Sequence, residues 1–197
     1  MEALFEELKR RLQLTPPRPL LFPGLELREA AVLIPLFSRA GVPHVLFTKR
    51  TQSLRNHAGQ ISFPGGTRDE SDATPLHTAL RETHEELGIP PAAVTVLGLL
   101  EETPTVTQFR VLPFVGVIPS DFAYVANPAE IEEILEIPLS HLLRPEIHRM
   151  EKLKFEGRER EVYFYDYGKY VIWGATARML RNLLQVVSAL EVASANG

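Results

Sequence analysis

Thr74-Pro75-Leu76-His77-Thr78-Ala79-Leu80-Arg81-Glu82-Thr83-His84-Glu85-Glu86-Leu87-Gly88-Ile89-Pro90, preceded by Phe63-Pro64-Gly65-Gly66, is the stretch on which the fold turns. Thr74 is a good N-cap, Pro75 fits the first helical position, Gly88 fits the left-handed residue after the last turn, and Pro90 bars continuation. These residues predict a helix over 75–87. At roughly 100° per residue, Glu82, Glu85 and Glu86 share one arc, while Leu76, Ala79, Leu80, Thr83 and Leu87 lie opposite. The expectation is one buried face and one face of clustered carboxylates.

Three like charges within about one turn repel, and they sit near the helix C-terminus, where the macrodipole disfavours anions. A divalent cation offsets both penalties. Oxygen-only ligands point to Mg²⁺ or Mn²⁺ rather than zinc. Taken alone, Glu-x-x-Glu-Glu reads as a solvated helix face. Its surroundings change that reading.

Gly66, five residues, Asp72, eight residues, then Arg81-Glu82-Thr83-His84-Glu85-Glu86-Leu87-Gly88-Ile89 resembles the Nudix box, Gly-x5-Glu-x7-Arg-Glu-U-x-Glu-Glu-x-Gly-U with U aliphatic. Asp72 stands where the box has Glu, one extra residue precedes Arg81, and Thr83 takes an aliphatic position; the Arg-Glu-x-x-Glu-Glu-x-Gly core is intact. Upstream, Leu46-Phe47-Thr48-Lys49-Arg50-Thr51, Arg55, Gly59 and Phe63-Pro64-Gly65-Gly66 resemble the signature of the coenzyme A pyrophosphatase branch of the Nudix hydrolases. Every spacing is kept, Phe47 and Thr51 are mild departures, and the lengthened loop before Arg81 also looks like that branch.

Coenzyme A carries a pyrophosphate and a 3′-phosphate, so its recognition needs several cationic donors. Arg50 and Arg55 supply planar forks suited to phosphate, and Gly65 and Gly66 let the backbone approach closely. The Gly66 carbonyl is a metal ligand by the same resemblance. Lys49, alternating with Arg50 on an expected strand, faces solvent, and His57 reads as a surface loop histidine before a phosphate donor. Metal falls to Glu82 and Glu86, with Glu85 assisting, to neutralise the pyrophosphate and activate water. Glu85 is one candidate general base. Family members often take another acid from a later loop, and Asn127-Pro128-Ala129-Glu130-Ile131-Glu132-Glu133 offers Glu133 and Glu130, read as sharing one helical face. Glu133 is preferred as the catalytic acid; Glu101 and Glu102 are rivals. Arg81 reads as an orienting partner for the carboxylates.

With 197 residues, 45% of them hydrophobic, the chain is long enough for one well-buried core, and residues 1–197 read as a single domain. Its net charge of −4 gives no general reason to bind nucleic acid. The absence of cysteine removes disulfides and thiolate metal sites. The acidic, amphipathic start is unlike a signal peptide, and no apolar stretch approaches the roughly 20 residues that span a bilayer, so a cytoplasmic location without membrane association is the default expectation. Residues 1–20 read as a short helix, available as a homodimer arm or for packing on its own domain, followed by the Pro16-Pro17-Arg18-Pro19 connector.

Strands are expected over 29–37 and 43–48, joined at Arg39-Ala40-Gly41, then over 94–100, 111–118, 162–167 and 170–173, with a final helix over 175–190. Strands mixed with separated helices give an α/β class, which the resemblance sharpens to an α/β/α sandwich with a mixed central sheet. The basic run from His141 to Lys154 reads as a solvated linker before a remote 3′-phosphate site. Tyr163, Phe164, Tyr165, Tyr167, Tyr170 and Trp173 read as sheet-face residues before an adenine stack.

The function implied is metal-dependent hydrolysis of coenzyme A, or a derivative, to 3′,5′-ADP and 4′-phosphopantetheine or its acyl form. The alternatives are the same chemistry on ADP-ribose or a dinucleotide, and a nucleotide-sensing module without catalysis.

Overall fold

Strand β1 (Arg28–Arg39) is the spine of the molecule, hydrogen-bonded on both edges and covered on both faces. The computed structural model describes residues 2–14, 27–53, 57–155 and 157–195. The Pro-rich connector and Arg55 lie outside them. One edge of β1 runs antiparallel to β2 (Val42–Arg50), with Arg39 opposite Val42. Ala40 and Gly41 close this hairpin with φ of 49° and 81°, the paired positive values that match strand twist. Further along, β4 (Gly65–Thr67) pairs antiparallel with Ala30, Ala31 and Val32. The other edge lies parallel to β7 (Phe109–Val117), which makes the sheet mixed.

Among the described residues, eight strands form this sheet. The remainder are β3 (Ile61–Ser62) and β8 (Ile131–Pro138) beside β2, and β5 (Thr95–Leu99) and β6 (Thr103–Pro104) beside β7. Period-two alternation sends Ala31, Leu33 and Phe37 of β1 to one face, where they meet Ala79 and Leu87 of α2 (Pro75–Leu87). Ala30, Ile34 and Leu36 go to the other face. There they pack in one core with α1 (Glu2–Leu14), α3 (Leu139–Leu142), α4 (Gly174–Ala195) and a smaller antiparallel sheet. That sheet comprises β9 (His148–Phe155), β10 (Arg158–Tyr167) and β11 (Tyr170–Trp173), in the order β11-β10-β9. The result is the expected sandwich of helix, mixed sheet and helices.

Two segments differ from the sequence expectation. Residues 131–138 form a strand where a helical face was read for Glu130 and Glu133: Ile131, Leu135 and Ile137 alternate inward, but the adjacent Glu132 and Glu133 interrupt the polar-apolar rhythm. The basic run is also ordered, as α3, a 3₁₀ turn at Pro145–Ile147 and strand β9. Lys49 turns its ammonium to Glu132 at 2.6 Å instead of to solvent. The aromatic residues of β10 and β11 divide as expected of a sheet: Tyr165 is buried, while Phe164 and Trp173 stack on the outer face. Among the described residues, no helix is long and apolar enough to cross a membrane.

Helix α1 contributes Phe5, Leu8 and Leu12 to the shared core, one stripe at helical spacing. Leu8 is fully buried, so Leu8→Ala should cost roughly 2–5 kcal/mol by lost transfer energy and cavity formation, read as a lower urea midpoint with the slope unchanged.

Candidate active site

Helix α2 forms as its end signals dictate. The Thr74 hydroxyl accepts from the His77 N–H at 3.2 Å, and Gly88, at φ 74°, donates its N–H to the His84 carbonyl at 2.8 Å. Ala79, Thr83 and Leu87 are buried as expected, joined by Thr78, whereas Leu76 and Leu80 are only half-buried. The three glutamates are not one solvated face. Glu85 is 52% exposed, Glu82 17% and Glu86 2%. Glu86 points inward, under the short strand β4.

Glycine makes that arrangement possible. A Cβ on Gly65 would lie 2.4 Å from the Ala31 carbonyl oxygen, and one on Gly66 would lie 2.5 Å from the Glu82 carboxyl carbon. With both absent, the Gly65 N–H points to Glu86 Oε2 at 3.4 Å and β4 lies directly against the Glu82 carboxylate.

Arg81 orients the acids. Its Nε and one terminal nitrogen grip the two oxygens of Asp72 at 2.9 Å each, while its remaining contacts reach Glu82 and Glu85, also at 2.9 Å. Asp72 is buried, and it also accepts from the Asp69 N–H at 3.0 Å. Arg68 secures this loop by donating to the Asp72 and Ala73 carbonyls while pairing with Glu29. The Arg81 fork holds the Asp72 carboxyl well below the usual carboxylate range, and Asp72 in turn raises Arg81.

Glu86 is in the opposite condition. Burial pushes its pKa from 4.5 up to about 8, with Arg50 pulling downward and Glu82 and Glu130 adding repulsion. Burial likewise raises Glu82. Arg50 reaches Glu86 only at 3.6 Å, and its Nε is buried without a hydrogen-bond partner.

Glu130 enters from the loop before β8, which is fastened on two sides. Val125 and Asn127 donate their N–H groups to the Leu87 and Glu86 carbonyls at 2.9 Å each. The Thr51 N–H and hydroxyl bind the carbonyls of Glu130 and Ala129 at 2.9 and 3.2 Å. The Asn127 side-chain amide then holds Glu130 Oε1 at 3.2 Å. Glu130 therefore stands within electrostatic range of Glu82 and Glu86.

The structure brings Glu82, Glu86, Gly65, Gly66 and Arg50 together, with Glu85 at the exposed rim. It does not bring Glu133 to them. Alternation along β8 puts Glu133 on the side of Leu135 and Ile137, away from α2, where the Tyr170 hydroxyl donates to it. Glu101 is exposed, and Glu102 sits 4.0 Å from Arg110. His57 bonds Gln60 at the surface. The Arg81 fork donated to buried Asp72 and the Asn127 contact to Glu130 are the features that sequence reasoning missed. The turn residues Asn127-Pro128-Ala129 were the signal for the second: Asn127 Oδ1 accepts from the Ala129 N–H at 3.1 Å.

Among the described residues, no three acidic or histidine side chains are gathered as a closed metal cage. The donor chemistry nevertheless suits a hard cation: Glu86 is a buried and Glu82 a partly buried carboxyl group whose ionised forms are disfavoured by burial, and Arg81 is shared between Glu82 and Asp72.

This fold and this helix define a Nudix-type hydrolase domain, and a family model described as NUDIX domain matches residues 27–166. The chain belongs to the Nudix family, whose members act on small nucleoside diphosphate compounds and generally use divalent metal cations. It is 41% identical over 179 residues to the uncharacterized Nudix hydrolase NudL of Klebsiella pneumoniae subsp. pneumoniae, covering 91% of this chain and 92% of that one. It is 42% identical over 156 residues to the NudL protein of Escherichia coli K12, covering 79% and 81%. A MutT/nudix family protein from Enterococcus faecalis shares the fold, with a TM-score of 0.55 at 16% identity over 86% of this chain and 65% of that one.

Two outcomes follow from the charges. Asp72→Asn should destabilise by roughly 2–3 kcal/mol at neutral pH, because it leaves Arg81 half-paired. The Asp72 pKa is depressed on folding, so its stabilisation is present above the unfolded value near 4 and is lost as pH falls through the lower folded value. Acid-unfolding curves of wild type and variant should therefore converge at low pH. Glu86 has the opposite sign: its stabilising effect is full below 4.5 and lost as pH rises through about 8. Metal-free Glu86→Gln should thus exceed metal-free wild type in stability above about pH 8, by on the order of 2 kcal/mol, as measured by calorimetry in chelator.

Proposed function

We propose that the protein hydrolyses the pyrophosphate bond of coenzyme A or its derivatives, releasing 3′,5′-ADP and 4′-phosphopantetheine or its acyl form. The observation that carries this reading is the position of Arg50. This arginine belongs to the upstream signature that resembles the coenzyme A branch, and its guanidinium lies beside Glu86 with one buried nitrogen unpartnered. A phosphate oxygen is the partner such a fork accepts.

Glu82 and Glu86, with the Gly66 carbonyl and with Glu85 at the rim, would hold Mg²⁺ or Mn²⁺. When bound, such an ion neutralises phosphoryl charge and lowers the pKa of water at the site. The chain supplies the rest. Arg50 orients the diphosphate, and the glycine wall of β4 lets it approach the backbone. Arg81, fixed by Asp72, keeps Glu82 and Glu85 in place. Glu130 is the better general base than Glu133: Asn127 holds one of its oxygens, leaving the other to take a proton from water as that water attacks phosphorus. The bridging P–O bond then breaks, and the second phosphate leaves as a monoester.

Product analysis by mass spectrometry in ¹⁸O-labelled water, with Mg²⁺ or Mn²⁺ against chelator, tests the reading. Metal-dependent 3′,5′-ADP and 4′-phosphopantetheine are expected, with faster turnover of coenzyme A than of 3′-dephospho-coenzyme A or ADP-ribose. Equal rates on all three would move the assignment to a general nucleoside diphosphate hydrolase, and tight binding without turnover would indicate a sensing module. Glu86→Gln and Glu130→Gln should each lower kcat at least about a hundredfold, whereas Glu133→Gln should leave it within about threefold. Loss in Glu133→Gln with none in Glu130→Gln would reverse the assignment of the base.

A further inference from the structure

The chain carries a second concentration of cationic side chains, on the face of the main sheet opposite Glu86. A groove of about 310 Å³ runs between α4 and the segment that leads from α3 into β9. Arg181 from α4 and Arg144 from the segment after α3 line its two sides, with His148 at the start of β9. Among the described residues, neither arginine has an ion-pair partner and no carboxylate lines the groove. Arg181 is placed by packing over the Tyr163 ring at 4.7 Å, so it does not need a salt bridge to be ordered.

Neutral donors complete the set. Gln185 and Ser188 follow Arg181 on one face of α4 at helical spacing, and Tyr165, itself 4% exposed, forms the floor. Leu142 and Leu184 supply an apolar section beside them. Two arginines in a lining with no acid among the described residues favour a dianion, and planar forks suit a tetrahedral phosphoryl group. The apolar section suits the carbon stem to which that group is attached.

We propose that this groove binds a small phosphate monoester with an apolar or aromatic stem, held between Arg144 and Arg181. The ligand is distinct from the substrate, because the groove and the acids of α2 lie in separate cores on the two sides of the main sheet. The proposal therefore does not depend on which diphosphate the Nudix site cleaves.

The test is an NMR titration of the ¹⁵N-labelled full chain, in chelator, with phenyl phosphate and with inorganic phosphate. The expected result is saturable shifts at the Gln185 and Ser188 amides, with phenyl phosphate binding about tenfold tighter than inorganic phosphate because its ring is buried. Arg144→Gln, at an exposed position, should weaken binding at least about fivefold without changing Tm, and Arg144→Gln with Arg181→Gln should abolish it. Arg181→Lys, which keeps the charge, guards against a packing defect and should retain weakened binding. Arg50→Gln, which alters only the Nudix site, should leave these shifts unchanged. The proposal is overturned if the shifts fail to saturate, if potassium chloride at equal ionic strength reproduces them, if they persist in the double variant, or if Arg50→Gln removes them.

Discussion

The site depends on how closely β4 can lie between β1 and α2. At Gly65 and Gly66 a side chain would overlap the Ala31 carbonyl oxygen on one side and the Glu82 carboxylate on the other, at 2.4 and 2.5 Å from the first carbon. Gly65 also holds φ at 151°, a value on the side of the map that other residues avoid. Backbone therefore forms the wall that side chains form elsewhere. A helix carboxyl group can reach the sheet edge and lie beneath it, so Glu86 is buried and its neutral form is favoured.

Burial on those terms needs compensation, and the compensation is unequal. Asp72 takes up most of the charge of Arg81, so the arginine nearest the helix acids serves as a brace more than as a counter-ion. Arg50 lies 3.6 Å from Glu86, beyond good hydrogen-bond distance. Burial, with mutual repulsion among Glu82, Glu86 and Glu130, therefore raises the Glu82 and Glu86 pKa values and favours their neutral forms. A hard cation at these oxygens would reverse that shift, because it favours the ionised carboxylates.

The parts of this arrangement differed in how far they could be read from the residues alone. Helix α2 was legible to the residue because each end carries its own stereochemical device, Thr74 and Pro75 at the start and Gly88 and Pro90 at the finish. The hairpin at Ala40-Gly41 and the strands of alternating or continuous apolar residues were legible for the same local reason. Strand β8 was not, since its identity rests on pairing with β2 and its own pattern is broken by adjacent glutamates. That error carried into the site. On a helix Glu130 and Glu133 would share a face; here one precedes the strand beside the α2 acids, and the other, within the strand, faces Tyr170. Asp72 was undervalued because its role comes from burial against Arg81, which motif spacing does not report.

The attachment of the Glu130 loop has a consequence for how the site is lost. Val125 and Asn127 hang from the carbonyls of Leu87 and Glu86, the last of α2, where helices fray first. Unwinding of that single turn would displace Glu86 and free the Val125–Asn127 end of the loop in the same event, while the Thr51 bonds to Ala129 and Glu130 would still hold its other end. The spacing between the Glu86 and Glu130 carboxylates is thus kept by one helical turn, and opening of that turn would alter it without unfolding β8.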